Sequence, residues 1–225
     1  MDEAVTVEMG NTKERISIRK LGYLGVKRLF DLICAIIGCI LLIPVTIIIK
    51  LASMCSGDFH SIFYSQNRIG KNGKKFKLYK FRSMVPDADE ILFRTLELDK
   101  IAAEEYKKNK KLKKDPRITK IGRVIRKLSI DELPQLINVL KGDMSLIGNR
   151  PYLPREKVDM GDYYDDIIKT KPGITGYWQV NGRSNTSFDE RMTLESYYSN
   201  HNSLSLDVKI FFKTFAVVLF GKGAE

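Results

Sequence analysis

The chain has 225 residues, a formal charge of +11 and a pI near 9.5. That length buries one substantial domain, or a domain with a smaller appendage, and that charge favours an anionic partner such as nucleic acid, phospholipid headgroups or a phosphorylated substrate. Cys34, Cys39 and Cys55 leave one thiol unpaired in any disulfide scheme and match no zinc spacing, which argues against a disulfide scaffold or a structural metal and for a reducing compartment.

Residues 1–28 form a basic N-terminal segment expected at a membrane surface, with Arg15, Arg19, Lys20, Lys27 and Arg28 near its end. The segment 29–50 follows, and from Leu32 to Ile49 it carries no charge, an apolar run at the threshold for a membrane helix. Pro44 lies inside it and removes one helical hydrogen bond, so a bend is expected there. Lys50, Arg68, Lys71, Lys74 and Lys75 make the far flank basic as well, so both ends read as cytoplasmic. A re-entrant helix that breaks at Pro44 and returns to the same face satisfies both observations; a kinked transmembrane helix is the alternative. Asp31 sits at helical spacing from Lys27 and Arg28, where it is expected to be neutralised near the headgroups as an anchor.

Residues 51–225 are read as a cytosolic catalytic domain. The segment around "GKNGK" (70–74) alternates as a short β-hairpin. "DADEILFRTLELDKIAAEEYKKNKKLKK" reads as helix, acidic first and basic last, with a lysine-rich end that is solvated or touches anionic lipid. Ile118, Ile121, Ile125 and Leu128 form a helical stripe, and so do Leu133, Leu136, Ile137 and Leu140, the second ending at Lys141-Gly142. "KPGITGYWQVNGRS" suits an ordered loop. The stretch "LSLDVKIFFKTFAVVLFGKG" is a packed or an interfacial helix, with the choice open. The fold class expected from these elements is α+β and predominantly helical, with a membrane helix hairpin, a short β-hairpin and interfacial helices.

Asp131 and Glu132 stand side by side in "SIDELPQL". A capping box from Ser129 to Glu132 would put Pro134 too deep in the helix, whereas Asp131 as the N-cap leaves it in the first turn. Arg126 lies close enough in sequence to help keep Asp131 ionised. A charged carboxylate at this position caps a helix, binds a divalent cation or attacks an electrophile, and local chemistry leaves all three open.

The motifs "KLYKFRSM" (77–84), "DPRITKIGRVIRKLSIDELPQLINVLKGDMSLIGNRP" (115–151) and "KPGITGYWQVNGR" (171–183), in this order behind one proline-broken apolar helix, resemble the bacterial sugar transferases, also called small monotopic phosphoglycosyl transferases. The resemblance runs from about Lys27 to Leu219. It implies a monotopic enzyme on the cytosolic face of the bacterial inner membrane, held among anionic lipids. The implied reaction moves a sugar phosphate from a nucleotide diphosphate sugar, expected to be a UDP-sugar, to polyprenyl (undecaprenyl) phosphate with Mg2+, and initiates surface-glycan synthesis. By the same resemblance Asp131 is the nucleophile that forms an aspartyl phosphosugar. Glu132 is its partner in positioning, metal binding or proton handling, and both are candidate metal ligands.

Lys80, Arg82, Arg126 and Arg150 fall in matching motifs and are assigned to phosphate or nucleotide contacts, with structural ion pairs as the other account; Asn181 and Arg183 are placed near the nucleotide or sugar. No nucleic-acid partner is expected, and a homo-oligomer is left open. Two departures from the family pattern stand out: Ile43 replaces the serine usual before the proline, and Gly148-Asn149-Arg150-Pro151 replaces Gly-Pro-Arg-Pro. The chain looks like the catalytic core without the extra N-terminal helices of larger members. A basic membrane-tethered adaptor and a magnesium-dependent nucleotide-sugar hydrolase are the competing functions.

Overall fold

The computed structural model describes residues 4–9, 12–109, 112–182 and 186–219. In chain order it contains β1 (Ala4–Met9) and β2 (Thr12–Ser17), the long helix α1 (Ile18–Cys55), and strands β3 (Phe63–Ile69) and β4 (Lys75–Phe81). Then come α2 (Ala88–Leu98), α3 (Lys100–Asn109), α4 (Lys120–Lys127), α5 (Gln135–Lys141), β5 (Ser145–Ile147), and the short helices α6 (Lys157–Met160) and α7 (Tyr164–Ile167). Strand β6 (Gly173–Thr175), α8 (Tyr177–Asn181), α9 (Phe188–His201) and α10 (Leu204–Leu219) complete the chain. Small two-stranded sheets among many helices make an α+β, predominantly helical fold.

Helix α1 is longer than the apolar run that predicts it. It is continuous through Pro44, so the expected break is not a gap in the helix. The hydroxyl near the proline comes from Thr46, whose Oγ1 donates to the Leu42 carbonyl at 2.7 Å, not from position 43; such back-bonding is a common companion of helix bending. Among the described residues α1 is the single helix long and apolar enough to cross a membrane. Ile33, Ile36, Ile37, Ile40, Leu41, Ile43, Ile47 and Ile48 are each at least half exposed, a surface that water would penalise and lipid would not.

The chain divides into two compact units, and the division crosses α1 between Leu41 and Leu42, within one turn of Pro44. The first unit takes the described parts of 1–41, 66–78 and 135–225. Its core includes Ala35, Leu78, Leu136, Val139 and Met144, and further clusters centre on Tyr198 and Tyr152. Strands β5 and β6 pair in parallel, Ser145 with Gly173 and Ile147 with Thr175. The segment expected as an ordered loop is therefore a strand and a short helix.

Polar contacts tie α1 into this first unit. Arg28 donates to the carbonyls of Val139 (2.6 Å) and Leu140 (3.0 Å), capping the C-terminal end of α5, which stops where Gly142 turns to φ 86°. Asp31 is buried and accepts from Ser145 Oγ (3.1 Å) and the Leu146 N–H (2.9 Å), while Lys27 pairs with Asp207 at 2.5 Å. Asp31 thus anchors the helix to the protein through β5. The expected cations Lys27 and Arg28 lie near it, and the hydrogen-bond donors from β5 add a protein contact that helical spacing did not predict.

The second unit takes 42–65 and 79–134, around a core of Leu42, Ile49, Ile62, Phe81 and Ile125. The long helix expected over 87–114 is split at Asp99, whose Oδ1 accepts from Ile101 and Ala102 N–H and starts α3 afresh. Helix α4 starts at Thr119, whose Oγ1 accepts from the Gly122 N–H at 2.8 Å. Ile125 is buried as the stripe predicts, but Leu128 is 58 % exposed and Ile118 precedes the helix, bridged to Met84.

Candidate active site

In the second unit the dyad sits on a single 3-10 turn, Ile130–Glu132, entered through Ser129 at φ 56°. The expected N-cap position of Asp131 is corrected by this geometry. Helix α5 begins after Pro134, so Asp131 lies in a tight turn ahead of the helix and not at its N-cap, and Ser129 makes no side-chain cap. A left-handed serine is strained and is held by its surroundings: Ile130 and Leu133, on either side of the dyad, pack against the core of this unit.

Lys80 on β4 reaches this turn and pairs with Glu132 Oε1 at 2.6 Å. The structure places Lys80 on the dyad itself. Burial pushes the Asp131 carboxyl above the usual carboxylate range; Lys80 opposes this, Glu132 adds to it, and Arg126 opposes it. Arg126 is exposed at the end of α4, and its Nε donates to Ser83 Oγ at 2.8 Å. Two cations and two carboxylates therefore share one patch, an arrangement able to receive a phosphate beside a nucleophile.

Arg82 lies in the same unit with its guanidinium engaged. Nε donates to the Ser61 carbonyl (2.6 Å), Nη1 to Met84 (3.2 Å) and Nη2 to both Asp58 oxygens at 2.8 Å. Burial alone would raise the Asp58 carboxyl, but Arg82 and His60 outweigh it and hold it below the ordinary range. The structural ion-pair account fits Arg82 better than a phosphate contact.

Arg150 and Asn181 belong to the first unit. Asn149, in place of the family's proline, is buried and fixes the turn with its side chain, donating to Ser199 Oγ (2.6 Å) and the Ile167 carbonyl (3.1 Å). The Arg150 N–H donates to both oxygens of the fully buried Glu195 (3.2 and 3.0 Å), and Arg150 Nε is buried without a partner among the described residues. Burial drives the Glu195 carboxyl up to about 8 against the pull of Arg150 and Arg191. Arg191 lies over the rings of Phe188, Trp178 and Tyr152, with centroid distances of 4.7, 5.0 and 5.5 Å. Asn181 is exposed and accepts from Lys213 at 2.6 Å. Arg183 lies outside the described residues.

Sequence reading missed Ser83, Asp58, Arg191 and Glu195. Helix α9, which carries the last two, had a visible start: Ser187 and Glu190 form a capping box, with Ser187 Oγ accepting from the Glu190 N–H (3.2 Å) and Glu190 from the Ser187 N–H (2.8 Å).

The profile of the family described as "Bacterial sugar transferase" matches residues 22–221. The chain belongs to that family. It is similar to an undecaprenyl-phosphate galactose phosphotransferase of Salmonella typhimurium, 47% identical over 198 residues, covering 88% of this chain and 41% of that protein. It is also similar to a UDP-N-acetylgalactosamine-undecaprenyl-phosphate N-acetylgalactosaminephosphotransferase of Aeromonas hydrophila, 39% identical over 216 residues, 90% of this chain and 46% of that protein. The exopolysaccharide production protein ExoY of Rhizobium meliloti is 38% identical over 216 residues, 94% of this chain and 93% of that protein. The chain thus spans less than half of the first two relatives and most of the third.

Proposed function

We propose that this chain is a phosphoglycosyl transferase that moves a sugar phosphate from a UDP-sugar to undecaprenyl phosphate through a covalent aspartyl intermediate. The observation that carries the reading is the dyad turn, with Asp131 beside Glu132, Lys80 and Arg126, in a chain of the bacterial sugar transferase family. An Asp131 carboxylate oxygen attacks the sugar-bearing phosphorus of the donor. The bond from that phosphorus to the bridging oxygen breaks, nucleoside monophosphate leaves, and Asp131 carries the phosphosugar as an acyl phosphate. A phosphate oxygen of the polyprenyl acceptor then attacks the same phosphorus, forming the lipid diphosphate sugar and restoring the carboxylate. An anionic nucleophile meeting an anionic diphosphate needs cations at the reacting atoms, and Lys80 and Arg126 supply two.

Mg2+ fits the donor set. Asp131 and Glu132 offer two hard oxygen ligands, no larger cluster of His, Cys, Asp or Glu able to hold a metal occurs among the described residues, and Mg2+ is commonly held by one or two carboxylates with substrate phosphates completing its shell. Bound there, it would neutralise diphosphate charge.

The same reading places α1 as a re-entrant helix turning near Pro44 in the bacterial inner membrane, with the catalytic part on the cytosolic face. Its support is the exposed apolar surface of α1, the basic flanks and the unit boundary within a turn of the proline. The expected product would initiate a surface glycan. In nanodiscs, we expect intact-mass detection of a phosphosugar adduct and nucleoside monophosphate release across a panel of nucleotide sugars, both lost in Asp131→Asn. An adduct persisting undiminished in that variant would refute the nucleophile, and sugar-phosphate release without polyprenyl phosphate would mark a hydrolase.

A further inference from the structure

Ser83 is a buried serine just after β4 that belongs neither to the dyad nor to its cations, and it touches α4 at both ends. Its carbonyl accepts from the Thr119 N–H at 3.1 Å, at the start of the helix. Its hydroxyl accepts from Arg126 Nε at 2.8 Å, at the last turn. Between these contacts the helix backbone passes so close that a Cβ on Gly122 would overlap the Ser83 carbonyl oxygen. Glycine is required at that position by space and not by backbone angle.

The consequence lies at Arg126. An arginine at an exposed helix end normally samples many rotamers, and ordering it costs side-chain entropy. Here Nε, the one guanidinium nitrogen on the side facing the stem, is held by a buried hydroxyl. The two terminal nitrogens donate no hydrogen bond among the described residues and stay open as a fork, the geometry that takes a phosphate through two parallel bonds. Lys80, the other cation of the patch, is already paired with Glu132.

We propose that Ser83 is a positioning residue for the transferase reaction, holding Arg126 so that its open fork meets the donor's diphosphate next to Asp131. The inference rests on the function proposed above. Ser83 touches no substrate and acts through Arg126 alone, on a platform that Gly122 makes possible.

The test is a double-mutant cycle on the full chain in nanodiscs, with Ser83→Ala, Ser83→Thr, Arg126→Ala and Ser83→Ala with Arg126→Ala, read as monophosphate release and, separately, as binding of inorganic pyrophosphate by calorimetry. Ser83→Ala is expected to lower kcat/KM and pyrophosphate affinity by about tenfold each, Ser83→Thr to restore most of both through its hydroxyl, and Ser83→Ala to cost nothing further once Arg126 is alanine. Independent, additive losses, or a threonine variant no better than alanine while thermal unfolding shows both folded, would overturn the proposal. If the pyrophosphate cycle couples as expected while no variant releases monophosphate, the Ser83–Arg126 device stands and the transferase reading falls. Turnover with an uncoupled cycle leaves the transferase reading standing and removes the device.

Discussion

Glu195 is a fully buried carboxyl, and its proton is a stability term. Its folded pKa of about 8 lies above the ordinary 4.5, so between those values the folded chain holds a proton that the unfolded chain has lost. Stability from this group is therefore full below about pH 4.5 and falls as pH rises through 8. Thermal unfolding of the wild type should weaken across that window, and Glu195→Gln should flatten the slope; an unchanged slope would mean that Arg150 and Arg191 keep the carboxylate ionised throughout. Lys80 makes a different prediction. Its ammonium offsets charge on the dyad, so Lys80→Gln should lower monophosphate release by about 10²-fold with little change in unfolding temperature, the pattern of a group that acts on developing charge. A loss confined to stability would make Lys80 a structural tie.

At the level of elements, the site depends on how closely α4 lies against the end of β4. Sequence periodicity predicts α4 from its isoleucines, but the close approach at Gly122 belongs to the helix face turned to a strand end, and no pattern of apolar residues encodes it. Gly122→Ala should push the helix off Ser83, costing about 1–3 kcal/mol in unfolding free energy and most of the activity together. Wild-type stability and turnover in that variant would show that the backbone yields without consequence. Helix α5 illustrates a second kind of dependence. Its last carbonyls are satisfied by Arg28 of α1, a partner more than a hundred positions away, so one end of a short core helix is completed by the long apolar one.

For the molecule as a whole, the apolar helix and the candidate site depend on the same packing. In the first unit α1 packs Ala35 into the core and buries Asp31 against β5; in the second, Leu42 and Ile49 join the core against which the dyad turn is held. Removing α1 would thus open two cores as well as cut an anchor. The topology prediction belongs at this scale: single-cysteine labels placed before Asp31 and after Lys50, in a chain otherwise free of cysteine, should both be reached from the cytosolic side only. Labelling of either from the periplasmic side would replace the re-entrant helix by a spanning one.

Local signals in the chain were enough for the apolar helix, the β3–β4 hairpin, the helical character of the stretch now divided into α2 and α3, and the stop at Gly142, because each is written in composition, periodicity or turn chemistry within a few residues, whereas Asp131 and Glu132 were singled out by linked motifs and not by local chemistry. The helix start at Gln135, the left-handed Ser129, the pairing of β5 with β6 and the burial of Asp31 depended on residues distant in sequence, whose arrival changes which local preference wins. The same holds for the cations: the chain contains 38 lysines and arginines, and composition cannot say which of them is paired with Asp58, which sits on Glu132 and which keeps an open fork. Charge is a property of the side chain, but its availability is a property of its neighbours, and only the folded chain supplies those.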